Sequence, residues 1–413
     1  MSCGMSSCDM QTICDDNGIQ IRLRVIDDLS QIASLRRPWE NKTVNPDVDI
    51  DFYEQIVLKR KGVHKPIIIL VEMGDDLVDL LIGRCQQGYA ECKMGYYRLF
   101  SCSFREIVFV GQSLQGLYSA KVIEAILGLM WQMTTSGQAD VIRICNVGCE
   151  SGLHSGCSRL GWNIPHNRQA LHDHWMAKLP ESLEQYLNER GASTRQDLRK
   201  KQKRFQRDVN DRAHYITYRT RAEIGAFCGG AEQVARGSYQ RALGAGFLND
   251  QEAIQSLEVA SAKGWWRGTV LYVDKVPVAF VSGYVLRDTI YLIWTGHTKE
   301  YEYYGIGLLI HLKLFEDVLA EGVKWVDFGI GSGTHKARLG TGNQQETDWW
   351  IYGRNWHGFQ AAVVNNGLGR VYGLFKRAFK GTKVEAAIKR AWRGRIASRL
   401  RGSEDVKTGS QVA

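Results

Sequence analysis

The spacing of apolar positions changes twice between residues 291 and 328. Residues 291–295 (YLIWT) form a continuous β-rich run, 306–320 repeat their apolar side chains at helical spacing, and 323–328 (VKWVDF) return to a short apolar run. These periods predict strand, helix, strand. Neighbouring strands joined through a helix make a βαβ unit with the strands parallel. Ahead of it, 214–219 reads as a strand, 223–241 and 251–262 as helices, and 268–273, 276–285 and 289–295 as strands linked by hairpin turns at Asp274-Lys275 and Arg287-Asp288. Residues 347–352 (TDWWIY) supply a last strand.

The first half of the chain runs through the same order. Residues 19–27 alternate as a strand, 29–42 and 49–62 read as helices with Asp49 or Asp51 suited to start the second, and 65–72, 77–85 and 105–110 read as strands. A helix over 117–135 and a strand over 141–147 close the series. At 413 residues the chain exceeds one ordinary core. The repeated order predicts a disordered lead (1–18), a first domain (19–178), a second domain with a preceding basic helix (179–355) and a basic amphipathic tail (356–413). The predicted class is α/β, with a mixed central sheet in each of two tandem domains.

Hydrophobic residues at 44% and charged residues at 23% fit a globular protein, and no apolar run reaches the 18 residues that would predict a membrane span. The first residues lack the basic and apolar segments of a secretory signal, and ten cysteines in such a chain read as reduced thiols. A cytoplasmic location is expected, at the inner face of the membrane if the tail binds lipid. Cys145, Cys149, His154 and Cys157 have metal-ligand chemistry but not the compact spacing of a structural zinc site, so no metal is expected.

The net charge of +9 is concentrated in two places. Arg199, Lys200, Lys201, Lys203, Arg204 and Arg207 crowd one predicted helix, with Leu198 and Phe205 seven apart on its apolar face. Residues 368–401 set eleven cations against the single acid Glu385, with Leu374, Phe375, Phe379, Ile388, Trp392 and Ile396 at near-helical spacing. Such a tail suits an anionic bilayer surface, or equally a helix docked on the protein with its charges in water. The basic helix likewise suits a phosphorylated partner or a solvated face.

The turn before the central helix carries Gly305 and Gly307 in the run EYYGIG. A helix that opens on glycines offers free amides and its positive dipole end to a phosphate, or is simply a tight turn. With the strands around it, EYYGIG, the strand end DFGIG (327–331) and HKARLG (335–340), this stretch resembles the GNAT acyltransferase superfamily. More closely it resembles the FemAB-like branch that includes CelD-type proteins of exopolysaccharide synthesis. The resemblance covers residues 179–354. It implies that the strands on either side of the helix splay apart, with the pantetheine arm of acyl-CoA in the gap and its pyrophosphate on the turn formed by Tyr304, Gly305, Ile306, Gly307 and Leu308. Glu302 departs from the pattern, because a carboxylate beside that turn repels phosphate.

The same resemblance makes Asp327, His335 and Lys336 the candidate acid/base and catalytic residues, His335 standing where the branch commonly has tyrosine. Asp327 equally suits capping of the following turn. Trp294, His297, Arg199 and Arg204 are the candidate substrate-binding residues. The implied function is acyl-CoA-dependent transfer to an amino sugar, a polysaccharide precursor or a related small polar acceptor. The alternatives are a FemX-like aminoacyl-tRNA-dependent transferase and a binding protein that keeps the GNAT core without its chemistry.

Overall fold

The structure is a computed structural model and describes residues 10–15, 18–74, 76–94, 97–116, 118–161, 164–168, 171–237, 246–331 and 333–368. The first half contributes β1 (Met10–Cys14), β2 (Gln20–Ile26), β3 (Val63–Met73), β4 (Asp76–Met94), β5 (Tyr97–Val110), β6 (Val141–Gly148), β7 (His166–Arg168) and β8 (His172–Lys178). The second contributes β9 (Ala213–Tyr218), β10 (Trp266–Val273), β11 (Val276–Leu286), β12 (Thr289–His297), β13 (Trp325–Ile330) and β14 (Gly342–Tyr352).

All fourteen join one sheet in the order β1-β2-β3-β4-β5-β6-β14-β8-β13-β12-β11-β10-β9, with β7 also on β14. Its only parallel pairs among the described residues are β5 with β6 and β12 with β13. Each is bridged by a helix, Ala120–Thr135 and Ile306–Leu319. The two halves are thus copies of one mixed α/β architecture, as the repeated pattern predicts. They also exchange strands. β14 of the second half lies against β6 of the first, and β8 of the first lies against β13 of the second.

Helices cover both faces, which explains why the strands are apolar without alternation. Leu271, Val281 and Ile290 pack under the helix Ile306–Leu319, whereas their neighbours Val270, Phe280 and Trp266 face Phe227 and Leu257 of the helices Ile224–Arg236 and Gln251–Ala262. Ile67, Ile69 and Val71 of β3 point to one core of the first half, and Ile68 and Leu70 to another.

Three expectations change. Met10–Cys14 pairs with β2, so this part of the lead predicted as disordered begins the sheet. The helix expected over 29–42 is broken into the short turns Leu29–Ile32, Ala33–Leu35 and Arg36–Glu40. The last strand begins at Gly342 because its first residues pair with β8. Asp49 does start the helix at Ile50, accepting from the amides of Asp51 and Phe52. The tail from 369 onward lies outside the described residues.

Candidate active site

β12 and β13 stay paired only from Thr289 to Tyr291 against Trp325 to Asp327. Beyond that, each strand slips register against its other neighbour. β12 bulges at Ile293 against β11, and β13 bulges at Phe328 against β8. A bulge bends its strand and leaves one residue unpaired, so two of them back to back open a gap.

The chain then turns through Glu302–Tyr304 and enters the helix at Gly305, whose φ of +69° is left-handed and favours glycine. Glu302 O and Gly305 O are taken by turn amides, but the N–H groups of Ile306 and Gly307 have no backbone acceptor among the described residues. A side chain at Gly305 would run into Lys201, and one at Gly307 into His297. These two glycines therefore let Lys201 and His297 pack directly against the turn.

The basic helix, Ala192–Val209, lies beside this turn. Its Leu198, Phe205 and Val209 are buried with the helix Ile306–Leu319. Arg204 stacks 3.8 Å over the Tyr303 ring and donates to Tyr303 O at 3.0 Å. Lys201 crosses Gly305 with its Nζ 2.7 Å from Asp197. Arg195, Arg199, Lys200, Lys203, Arg204 and Arg207 line an open trough with Tyr303 at one side. Arg199 pairs with Glu184 and Arg207 with Asp208, whereas Lys200 and Lys203 have no ion pair among the described residues.

Three histidines gather at the same turn. His297 packs against Gly307, and His311 Nδ1 lies 2.6 Å from Gly307 O. The His335 ring stacks on His311 at 5.4 Å. Burial pushes His311 down to about 3 and His335 to about 4, helped at His335 by Lys336, and it lowers His297 as well. The imidazoles of His311 and His335 are therefore neutral near pH 7. His311 Nε2 is buried without a partner.

Asp327 and Lys336 do not join that cluster. Asp327 Oδ1 accepts from Gly329 N at 2.6 Å and lies 2.7 Å from His174 Nε2. His174 Nδ1 sits 2.9 Å from Glu346 Oε1. Burial alone would depress this imidazole, but its bonds to Asp327 and Glu346 outweigh that and raise it to about 10. The three residues come from β13, β8 and β14, so an imidazolium between two carboxylates fastens the exchanged strands. Lys336 Nζ donates to the carbonyls of Gly329 and Ile330, at 3.2 and 2.7 Å, and secures the glycine turn at the end of β13.

On the opposite face of β12 a cleft of about 540 Å³ separates the halves. Ile293 and Trp294, at the bulge, form part of its wall, together with Phe52, Tyr284, Asp47 and Arg84. Desolvation raises the Asp47 carboxyl and lowers the Arg84 guanidinium. Arg60 spans the cleft to Glu252 at 2.8 Å, and Lys263 reaches Asp49 and Asp51 at 3.1 and 2.6 Å.

Residues 192–337 match the family model of the acetyltransferase (GNAT) domain. That stretch, in the second half of the chain, carries the GNAT acetyltransferase domain. The fold of the chain is that of FemX, which superposes with a TM-score of 0.54 at 10% identity, covering 82% of this chain and 99% of FemX. A tandem GNAT protein from the clavulanic acid biosynthesis pathway gives 0.50 at 11% identity, covering 81% and 99%. A conserved protein of unknown function from Bacteroides thetaiotaomicron VPI-5482 gives 0.46 at 12%, covering 73% and 88%. No curated protein matches the sequence.

The first half differs from the second at the corresponding strand pair and turn. β5 stays paired with β6 to its last residue, Val110, so no gap opens. Its turn, 111–116, is occupied from inside. Asp79 Oδ2 accepts from the amides of Gln115 and Gly116, both at 2.8 Å, and from Tyr118 Oη at 3.1 Å.

Of the residues picked from the sequence, Tyr304 to Leu308, His297, His335, Arg199 and Arg204 lie around the glycine turn and its helix. Trp294 lies on the cleft side of β12, and Asp327 and Lys336 hold strand ends. His174, Glu346, Asp47, Arg84 and Tyr284 were missed. Each lies in an unremarkable local pattern; His174 and Glu346 meet only across the seam, and Asp47, Arg84 and Tyr284 share a cleft only once the halves are folded together.

Proposed function

We propose that the protein transfers an acyl group from acyl-CoA to an amine or hydroxyl of a small polar acceptor, with an amino sugar or polysaccharide precursor as the class favoured by the CelD-like resemblance. The observation that carries this reading is the gap between β12 and β13 beside a helix whose first amides are free. The amides of Ile306 and Gly307, with Lys201 and Arg204 alongside, fit a pyrophosphate.

In the reaction the acceptor atom attacks the thioester carbon, negative charge grows on the carbonyl oxygen, and the C–S bond breaks with its electron pair on sulfur. The proton lost by the acceptor ends on the thiol. The bulged Ile293, outside the β11 ladder, suits an oxyanion contact through its amide. His335, pushed down to about 4, fits hydrogen-bond donation to the leaving sulfur better than proton abstraction. The test is a thermal-shift titration with acetyl-CoA. Wild type should melt higher with ligand, while Gly305→Glu and the milder Arg204→Ala lose or weaken the shift. No shift in folded wild-type protein at millimolar acetyl-CoA overturns the reading.

A second reading draws on the basic trough: an aminoacyl-tRNA donor, as in a FemX-like transferase. Tight tRNA binding that falls steeply with salt, without any acetyl-CoA shift, would select it. The cytoplasmic face of an anionic membrane is the proposed working place, because 368–401 carry so many cations. Among the described residues no helix is long and apolar enough to cross a membrane.

A further inference from the structure

The cleft between the halves contains opposite charges that do not neutralise each other. Asp250 caps the helix at Gln251, accepting from Ala253 N at 2.9 Å, and Arg60 is paired with Glu252. These groups are spoken for. Among the described residues Asp47 forms no ion pair, and the one side-chain bond of Arg84 is from Nε to Gln86 Oε1 at 2.7 Å. A guanidinium walled by protein without a carboxylate is costly unless an anion arrives. Tyr284 is 3% exposed and its hydroxyl has no partner, although it lines the same cleft. A carboxylate and a guanidinium with no ion pair among the described residues, and a phenol without a partner, thus line one space.

Phe52 and Trp294 supply flat apolar walls to it. The volume, about 540 Å³, fits a molecule of sugar or dipeptide size. It also opens on Ile293, the bulged residue at which β12 leaves β13. An occupant of the cleft therefore reaches the gap from the face opposite the glycine-turn helix.

We infer that this cleft binds an acceptor carrying both a primary ammonium and an anionic group, the ammonium on Asp47 and Tyr284 and the anion on Arg84. The anion is a carboxylate, as in an amino acid or short peptide, or a phosphate, as in an amino sugar phosphate. The shared demand is one positive and one negative end on a small frame. A neutral or singly charged sugar leaves either Asp47 or Arg84 without a counter-charge and binds more weakly. The inference rests on the proposed acyl transfer only for the word acceptor, since the binding it describes needs no donor.

The test is calorimetric titration without CoA, using two probe sets. One is glucosamine 6-phosphate, glucosamine, which lacks the anion, and N-acetylglucosamine 6-phosphate, whose amine is blocked. The other is alanylalanine, its methyl ester and its N-acetyl derivative. Wild type should bind the doubly charged member of one set at least about tenfold more tightly than either blocked form, and that set identifies the anion. Arg84→Gln should erase the preference over the anion-free form, and Asp47→Asn the preference over the amine-blocked form. Tyr284→Phe, which keeps the ring, should cost about three- to tenfold for the free amine alone.

The acetyl-CoA shift is measured on the same preparations, and its persistence in the variants shows them folded and donor-competent. Equal affinities across both sets, or no binding of either doubly charged probe, overturns the inference while a retained shift leaves acyl transfer standing. Discrimination among probes without any acetyl-CoA shift sinks acyl transfer from CoA and keeps the cleft.

Discussion

Removing the His174 imidazole would leave Asp327 and Glu346 facing each other inside the sheet with no cation between them. Such a loss costs about 3–5 kcal/mol, so His174→Ala should unfold at much lower urea than wild type. The pH dependence has a sign. His174 is raised to about 10, so its stabilisation is whole below the unfolded value of about 6.5 and is lost as pH rises through about 10. Urea midpoints at pH 6, 8 and 10 should fall for wild type and stay flatter for the variant. His311 and His335 have the opposite dependence. Held near 3 and near 4, they contribute stability above about pH 6.5 that is lost as pH falls through those values. A His311→Gln, His335→Gln double variant should therefore lose less stability than wild type between pH 7 and pH 4, read as the change in melting temperature. The sequence made Asp327 and His335 visible through DFGIG and HK, but not their duties. The partner of Asp327 lies 153 positions away, beyond the reach of any local pattern.

At the scale of elements, the strand–helix–strand period and the glycine turn were readable because they are set by local spacing and by backbone freedom. The bulges were not, since a bulge is a mismatch between two strands and exists only once they pair. The same contrast separates the two turns. In the second half the turn amides stay free, whereas in the first Asp79 has taken them. Asp79→Ala should remove the acceptor of those amides and of Tyr118 Oη and cost about 1 kcal/mol. It should also leave the acetyl-CoA shift unchanged, a combination that thermal melts with and without ligand will read. On the basic helix, Lys200→Ala with Lys203→Ala should weaken acetyl-CoA binding and make its affinity less salt-dependent, because neither lysine has a carboxylate partner among the described residues.

At the scale of the molecule, the repetition of element order announced two copies of one fold, and the sheet bears that out. The boundary expected at 178 hides the exchange, because β8 belongs to the first half in sequence and to the second in pairing. Either half alone has lost a central strand and exposes the edge it covered. Residues 10–178 expressed by themselves should show no cooperative melt by circular dichroism, while co-expression with 179–368 should restore one. The exchange also bears on how the chain is made. A ribosome that has finished β6 has produced a strand whose partner, 342–352, is still some two hundred codons away. Until β14 emerges, that edge can pair with the same edge of another nascent chain, so yield in a cell should depend on holdase chaperones more than the stability of the finished fold would suggest.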